Sequence, residues 1–345
     1  MKGFGSLIGQ EVVVKQLQQA INSGRVAHAY LITGAPGSGK RTLALAFAQA
    51  LFCQERQDSA CGECRNCNRI SAGNHPDVTI IEPETGRLRI NQIRGLRDKF
   101  ALQAYEGGWK IGMVIDAETM TEPAANSLLK LLEEPSGQAV IMLLSTSPSM
   151  LLPTIVSRCQ IIPMRRLPRI RIASFLEDEY HVPPKTAMVV AGLADGRLGQ
   201  AIEMASTEKL IWRDRVLAMV TCETGRGLEA LRLAAMLDSE PDAIEFCLQV
   251  LIAWLRDLLL VASGCPEEMI VHQDRYDDLL AESMKYDEPA IRKAVFQVED
   301  ARRALDANAN RRLTLDTLLY QMADLTSFSR ASEVYEYGKS SRSSI

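Results

Sequence analysis

The stretch GAPGSGKRT, residues 34–42, decides the fold class of this chain, because it has the G-x-x-x-x-G-K spacing of a phosphate-binding loop. In such a loop the glycines let backbone N–H groups converge on phosphate oxygens, and the lysine adds a full positive charge. One position departs from the pattern: Arg41 follows Lys40 where Ser or Thr is usual, and the hydroxyl comes one residue later, at Thr42. Since arginine has only donors and cannot hold Mg²⁺, the loop predicts phosphate binding and argues against metal-assisted hydrolysis.

The sequence around this loop alternates between short apolar runs and helical patterns. The apolar runs, which are typical of buried strands, lie at 29–33, 78–82, 111–116, 139–146 and 160–164. The loop follows the first of them directly, and a helical pattern begins directly after the loop. The alternation predicts a parallel five-stranded α/β sheet covered by helices, and this context favours a phosphate site over an ordinary glycine-rich turn.

Helical patterns alone follow this α/β region, which ends near residue 165. The segment 166–207 predicts a small helical domain, and the block 208–328 predicts a second helical domain whose apolar stripes at helical spacing indicate core packing. The polar, serine-rich segment 329–345 predicts a disordered tail.

Composition restricts the class of protein. The chain has 345 residues, of which 47% are hydrophobic, and its formal net charge is −4. It lacks the strong positive charge that would by itself indicate a nucleic-acid partner, so any DNA contact must be local or shared with other subunits. Its first residues lack the apolar core of a signal peptide, and no apolar run is long enough to span a bilayer, so we expect a cytoplasmic protein with no membrane partner.

A candidate metal-binding carboxylate lies at the end of the third apolar run, in KIGMVIDAETM (110–120). Asp116 would bind Mg²⁺ through water at the carboxyl end of a strand, although a helix cap or turn residue is the alternative. A hydrolytic site usually has Glu directly after this Asp, but Ala117 stands there, and Glu118 would point elsewhere if the chain stayed extended. Thr146, at the end of the fourth run, is placed to sense a γ-phosphate.

Four cysteines are clustered with the spacing C-x7-C-x2-C-x2-C: Cys53, Cys61, Cys64 and Cys67. Four thiolates this close suit a closed, structural tetrahedral Zn²⁺ site, while an iron–sulfur cluster or free thiols are the alternatives. The other four cysteines are scattered and are expected to pack as small apolar residues.

Two basic regions have both a structural and a functional interpretation. Arg158 precedes the fifth apolar run within an arginine-rich connector, and it is either a solvated residue or an arginine finger for a neighbour's phosphates. The stretch 87–100 is either an exposed helix face or a contact to a nucleic-acid backbone.

Motifs along residues 8–206 resemble the delta-prime subunits of bacterial DNA polymerase III clamp loaders, a family of AAA+ proteins. The matching motifs are IGQE (8–11), HAYL (28–31), the four-cysteine insert (53–67), GNHPD (73–77), INQIR (90–94), ANSLLKLLEEP (125–135) and SRC (157–159). A looser match, NANRRLTLDTLL (308–319), lies in the C-terminal helical block.

The resemblance implies an AAA+ nucleotide-binding domain (1–165), a helical lid (166–207) and a helical collar (208–328) that closes a hetero-pentameric ring with delta and tau/gamma subunits. Such a ring uses ATP to open a sliding clamp and place it on primed DNA. The resemblance also implies that Arg158 acts in trans on the ATP of an adjacent motor subunit, and that the cysteine insert holds zinc rather than iron. In the chain's own site it implies phosphate contacts from Gly34, Gly37, Ser38, Gly39 and Lys40, and an adenine pocket that includes Ile8.

Three positions depart from the motor subunits of that family. Arg41 and Ala117 replace a hydroxyl residue and a glutamate, and Gly199 aligns with an arginine of the small helical domain. These departures favour a subunit that does not hydrolyse ATP itself, although it would be part of a polymerase holoenzyme, and they leave nucleotide binding open. One alternative is an active tau/gamma-like motor subunit, and another is a zinc-stabilised nucleotide kinase or switch, which would leave the C-terminal helical block unexplained.

Overall fold

The computed structural model describes residues 3–56, 59–106, 108–134, 137–222 and 224–323. The tail predicted at 329–345 lies outside the described residues. No helix in these described ranges is long and apolar enough to cross a membrane.

The chain divides into two compact units. The first lies within Met1–Leu167 together with Gly196–Gly199, and the second lies within Pro168–Asp195 and Gln200–Ile345. The finer division into a nucleotide-binding domain, a lid and a collar stays a prediction.

A parallel sheet forms the centre of the first unit. Its strands are β1 (Ala29–Thr33), β2 (Val78–Ile81), β3 (Lys110–Val114), β4 (Ala139–Ser145) and β5 (Gln160–Pro163). They are ordered β2-β3-β4-β1-β5, and all neighbours are parallel. Strands β1, β3 and β4 are buried along their whole length, as expected where helices cover both faces. The predicted five-stranded parallel sheet is confirmed, and the loops after β1, β3 and β4 emerge at the same edge.

Helices cover both faces of this sheet. They are α1 (Glu11–Asn22), α2 (Lys40–Phe52), α3 (Arg65–Ser71), α4 (Ile90–Ala101), α5 (Glu122–Glu133) and α6 (Pro153–Val156). Tyr30 packs on one face, where its ring meets the edge of Phe47 at a centroid distance of 5.2 Å. Its neighbour Leu31 belongs to the opposite core with Leu96 and Leu128. Consecutive strand residues therefore serve two separate apolar cores.

Helices are the only regular secondary structure among the described residues of the second unit. Its helices are α7 (Arg169–Tyr180), α8 (Pro184–Leu193), α9 (Leu198–Met204), α10 (Thr207–Thr221), α11 (Arg226–Ser239), α12 (Pro241–Ala262), α13 (Tyr276–Ser283), α14 (Glu288–Asp306) and α15 (Arg311–Ala323). The first two residues of α9 belong to the first unit. The predicted change from an α/β region to an all-α region is confirmed.

Two charged side chains hold the loop between α12 and α13. Arg169 on α7 donates hydrogen bonds to the carbonyl oxygens of Ile270 (2.7 Å) and Val271 (3.1 Å). Asp257 on α12 is fully buried and accepts from the backbone N–H groups of Val271 (3.1 Å) and His272 (2.8 Å). The His272 ring is also fully buried, with Nδ1 2.9 Å from the Asp257 carboxylate. The loop's backbone polar groups are therefore satisfied inside the core, as burial requires.

This buried histidine predicts an acid-sensitive contribution to stability. Burial lowers the pKa of His272, and this effect outweighs the opposing hydrogen bond to Asp257. Since the unfolded-state pKa is about 6.5, the unfolded chain binds the extra proton first, and the stabilisation is present above about pH 6.5 and lost as the pH falls. The unfolding free energy should therefore fall as the pH is lowered below about 6.5. We expect His272→Asn to make this fall less steep, by at most about 1.4 kcal/mol per pH unit.

The measurement is chemical denaturation at a series of pH values from about 7.5 to about 5. His28→Asn is the matched control, because the His28 side chain is exposed. A His272→Asn variant that loses stability with pH as steeply as the unsubstituted chain would contradict the prediction.

Candidate functional site

The phosphate-binding loop connects β1 to α2 and has the backbone that its glycines permit. Gly37 and Gly39 have φ angles of 76° and 89°, in the region that favours glycine. Gly39 is the N-cap of α2, so the first N–H groups of that helix lie at the end of the loop. Unsatisfied N–H groups at a helix N-terminus attract anions, and the loop therefore has the geometry of a phosphate site.

Gly34 and Ser38 close the base of the loop. A Cβ on Gly34 would lie 2.8 Å from Ser38 Oγ and 2.9 Å from Met164 Cβ, so a larger residue would displace the loop. The Ser38 hydroxyl is buried and has no hydrogen-bond partner among the described residues. An unpartnered buried hydroxyl is costly, and a polar ligand in the loop would satisfy it.

Lys40 is turned back onto the loop that carries it. Its side chain is buried, and its Nζ donates to the carbonyl oxygens of Gly34 (2.6 Å) and Ala35 (3.1 Å). Burial lowers the pKa of Lys40, while the carboxylates of Glu118 and Asp116 oppose that shift. The ammonium group therefore stabilises the loop on its own, and an incoming phosphate would compete with two backbone carbonyls.

Arg41 is directed to the residue that follows the edge strand β2. Its guanidinium lies 2.6 Å from the carboxylate of Glu82, which directly follows β2, and both side chains are about half exposed. Thr42, which carries the only nearby hydroxyl after Lys40 in the sequence, lies on α2 and is exposed. Glu82 was not expected from the sequence, since its partner is 41 residues away in the chain numbering and no local pattern links the two.

The acidic residues after β3 lie differently from the sequence prediction. Asp116 has a φ angle of 48°, and a 3-10 turn follows at Ala117–Thr119. The chain is therefore not extended here, and Glu118 does not point away: its Oε1 accepts a hydrogen bond from the Thr146 N–H at 3.0 Å. Ala117 is fully buried and supplies no carboxylate to the site. The prediction that Glu118 points elsewhere applied to an extended chain, and the left-handed Asp116 with the turn after it removes that condition.

Glu118 is an anion inside the candidate site. Burial would raise its pKa, but hydrogen bonds from its own backbone and from Thr146 outweigh burial and hold the pKa below the usual value. Its second oxygen, Oε2, is buried without a partner among the described residues. The lowered pKa favours the ionised carboxylate, which in turn opposes the lowering of the Lys40 pKa. Thr146 lies at the end of β4 as predicted and contributes its backbone N–H to this contact.

Gly199 lies directly against the phosphate-binding loop. Its N–H donates to the carbonyl oxygen of Gly37 at 3.0 Å. A Cβ at this position would be 3.1 Å from that oxygen and 3.4 Å from Gly37 Cα. A side chain here would crowd the loop backbone, so the absence of an arginine at position 199 has a direct packing reason.

The segment before α1 contacts the same region. Ile8 is partly buried beside Leu7, which packs close to Gly39. Gln10 is buried and joins this segment to the end of β5: its Nε2 donates to the Arg165 carbonyl oxygen at 2.7 Å, and its Oε1 accepts from the Arg165 N–H at 3.2 Å. The segment that carries Ile8 therefore reaches the loop through Leu7.

The four clustered cysteines are brought together as predicted. The sulfur atoms of Cys53, Cys61, Cys64 and Cys67 all lie within 4.8 Å of one another. Cys61 Sγ and Cys67 Sγ are 3.9 Å apart, close to the roughly 3.8 Å that a tetrahedral Zn–S distance of about 2.3 Å implies. The backbone N–H groups of Glu63 and Cys64 lower the pKa of Cys61 to about 6, whereas burial raises that of Cys67. The group is arranged to hold a metal ion.

Arg158 follows the short helix α6. Its Nη2 is 2.8 Å from Glu133 Oε1 at the end of α5, and its Nη1 donates to the Thr154 carbonyl oxygen at 2.9 Å. Its side chain is 37% exposed, and neither contact involves the phosphate-binding loop of its own chain. The guanidinium is therefore presented on the surface of the first unit.

The basic stretch 87–100 covers the approach to α4 and most of the helix. Arg87, Arg89, Arg94 and Lys99 are exposed, while Ile93, Leu96 and Phe100 are buried. The stretch therefore presents an exposed basic face and turns its apolar residues into the core.

These features define a class: an α/β P-loop protein with a four-cysteine insert after the P-loop helix and a helical C-terminal region. The family described as "DNA polymerase III, delta subunit" matches residues 9–168, and its C-terminal counterpart matches residues 208–324. DNA polymerase III subunit delta' of Bacillus subtilis is 30% identical over 87% of this chain and 92% of the relative. The delta' subunit of Pseudomonas aeruginosa is 48% identical over 39% of this chain and 42% of the relative.

A tau subunit is also similar, but over less of its length. DNA polymerase III subunit tau of Bacillus subtilis is 30% identical over 58% of this chain and 37% of the relative. The delta' match in the same organism extends over nearly the whole of both proteins. The chain therefore belongs to the family of DNA polymerase III delta' subunits.

Proposed function

We propose that this chain is a ring subunit of a DNA polymerase III clamp loader that does not hydrolyse ATP itself. It contributes Arg158 in trans to the ATP site of a neighbouring motor subunit, and the assembled ring places a sliding clamp on primed DNA. Delta and tau/gamma subunits are the proposed partners, and the helical block 208–328 is the proposed collar.

The observation that carries this proposal is the state of the chain's own nucleotide site. Arg41 pairs with Glu82 and has no oxygen that could bind Mg²⁺. Ala117 is buried at the position where an acid would orient the attacking water. Gly199 packs on the loop at the position where an arginine would contact phosphate. Each of these groups is unable to supply the chemistry of hydrolysis. Arg158, in contrast, is exposed and held by two contacts.

The site keeps the parts that hold a nucleotide. The N–H groups of the loop from Gly34 to Gly39, with Ser38 and Lys40, would bind the phosphates, and Ile8 would contact the base. Asp116 is exposed at the carboxyl end of β3 and would hold Mg²⁺ through water. Thr146 would lie beside the γ-phosphate. ATP with Mg²⁺ is thus the proposed ligand, and zinc is the proposed metal of the four-cysteine group, where it supplies structure rather than chemistry.

We expect the isolated chain to show no steady-state phosphate release that depends on Lys40. The reason is that binding elements alone do not orient water or neutralise the transition state. The measurement pairs calorimetry with ATP and Mg²⁺ against a phosphate-release assay, using Lys40→Ala as the control. Binding without turnover would identify a nucleotide holder, and absence of binding would identify a site closed by Lys40 and Gly199.

An active motor subunit is the second candidate, and Glu118 is the observation that favours it. Its ionised carboxylate lies in the site and interacts with Lys40. If Glu118 oriented the attacking water, phosphate release would occur and both Lys40→Ala and Glu118→Gln would abolish it. That result would contradict the proposal of a non-hydrolysing subunit.

A further inference from the structure

The C-terminal end of α5 carries acidic side chains where helix electrostatics disfavours them. Glu133 is the last residue of α5 and Glu134 is its C-cap. The carbonyl groups at a helix C-terminus carry partial negative charge, so acids there destabilise the helix and cations stabilise it. Helix stability therefore does not account for Glu133, and its role lies in a contact outside the helix.

That contact is Arg158. Arg158 Nη2 lies 2.8 Å from the Glu133 carboxylate, and Arg158 Nη1 donates a hydrogen bond to the Thr154 carbonyl oxygen at 2.9 Å. The Glu133 and Arg158 side chains are 49% and 37% exposed, and ion pairs at such exposure add little to folding stability. The two contacts use two of the five N–H groups of the guanidinium, so the same side chain retains donors for a phosphate.

We propose that Glu133 is a positioning residue for Arg158. Glu133 and the Thr154 carbonyl oxygen on α6 together hold the guanidinium in one orientation before it binds the phosphates of a neighbouring subunit's nucleotide. A long flexible side chain that is already oriented loses less conformational freedom when it binds phosphate, and its planar group arrives at the correct angle. This inference rests on the proposed function of Arg158 as an arginine finger.

The test uses the complete clamp loader, with the P-loop lysines of its other ATP sites replaced so that only the site served by Arg158 turns over. It is reconstituted with Glu133→Ala, with Arg158→Ala and with both substitutions. Glu134→Ala is the matched control, because it removes an acid from the same helix end without touching the recorded contacts of Arg158. Alanine preserves helix propensity, and thermal denaturation of each isolated subunit checks the fold. The steady-state rate of ATP hydrolysis is measured over a range of ATP concentrations.

We expect Glu133→Ala to lower the maximal rate about tenfold without changing the ATP concentration at half-maximal rate, because a misplaced catalytic group affects the transition state. The Glu134→Ala loader should hydrolyse ATP at the same rate as the loader without substitutions. In the Arg158→Ala background, Glu133→Ala should have no further effect, since the group that it positions is gone.

Three results with the Glu133→Ala substitution would overturn the inference. The first is an unchanged rate in the Glu133→Ala loader. The second is a raised rate in that loader, which would mean that Glu133 competes with phosphate for Arg158. The third is a tenfold loss from Glu133→Ala that persists in the Arg158→Ala background. An impaired Arg158→Ala loader beside a normal Glu133→Ala loader would reject the positioning role alone. A normal Arg158→Ala loader would reject the proposed function, and the positioning role with it.

Discussion

Replacement of Arg158 by alanine is expected to lower ATP hydrolysis at the neighbouring site of the assembled loader by about 10³- to 10⁵-fold, the range that trans arginine fingers contribute. The guanidinium supplies positive charge where negative charge develops on the transferring phosphoryl group, and alanine leaves that charge unbalanced. The fold of the isolated subunit should be unaffected. The Arg158 ion pair is partly exposed, so its loss should change the unfolding free energy by no more than about 1 kcal/mol.

The measurement is the hydrolysis rate of a loader in which the P-loop lysines of the other ATP sites have been replaced, so that only the site served by Arg158 turns over. Arg158→Lys is the informative companion variant, because lysine keeps the charge but lacks the planar fork, and an intermediate rate is expected. Arg165→Ala is a control from the same arginine-rich connector. Normal hydrolysis in Arg158→Ala would show that the exposed guanidinium has no catalytic part.

Most of the fold could be predicted from the sequence because its patterns are local. Each buried strand is a short apolar run, and the phosphate-binding loop fixes where β1 ends and α2 begins. The order of the strands was not available from such patterns, since the pairing of β1 with β4 joins residues more than a hundred positions apart. The cysteine group was predictable for the opposite reason, because its four ligands lie within one short stretch.

The candidate site was only partly predictable, and the failures have a common cause. The orientation of Glu118 was not predictable because a single left-handed residue, Asp116, ends the extended segment, and a non-glycine residue in that conformation leaves no clear sequence signal. The partners Glu82 and Glu133 are distant in sequence from Arg41 and Arg158, and acidic residues at helix and strand ends are common. A weak signal did exist at Glu133: an acid at a helix C-terminus opposes the helix dipole and so suggests an external partner.

Loss of the metal from the four-cysteine group is expected to destabilise the first unit by about 3–5 kcal/mol and to lower its melting temperature on the order of 10 °C. Four thiols without a metal cannot hold so short a segment in one conformation. The effect should extend beyond the insert, because Gln49 on α2 donates to the Cys67 carbonyl oxygen at 3.1 Å and to Ser71 Oγ at 2.7 Å. Gly3 also packs against Ala60, so the segment before α1 contacts the insert.

The experiment combines elemental analysis of the purified chain with thermal denaturation before and after chelation. Cys64→Ser should reproduce the chelated state, whereas Cys265→Ser, outside the cluster, should behave like the unsubstituted chain. Zinc in equimolar amount would support a structural zinc site, and iron with visible absorbance would identify a cluster instead. Asn66 Nδ2 on α3 also donates to the Phe52 carbonyl oxygen on α2 at 3.1 Å, so hydrogen bonds link α2 and α3 without the metal. Chelation that leaves the melting temperature unchanged would therefore mean that these protein contacts alone hold the insert, and the metal would have no structural role.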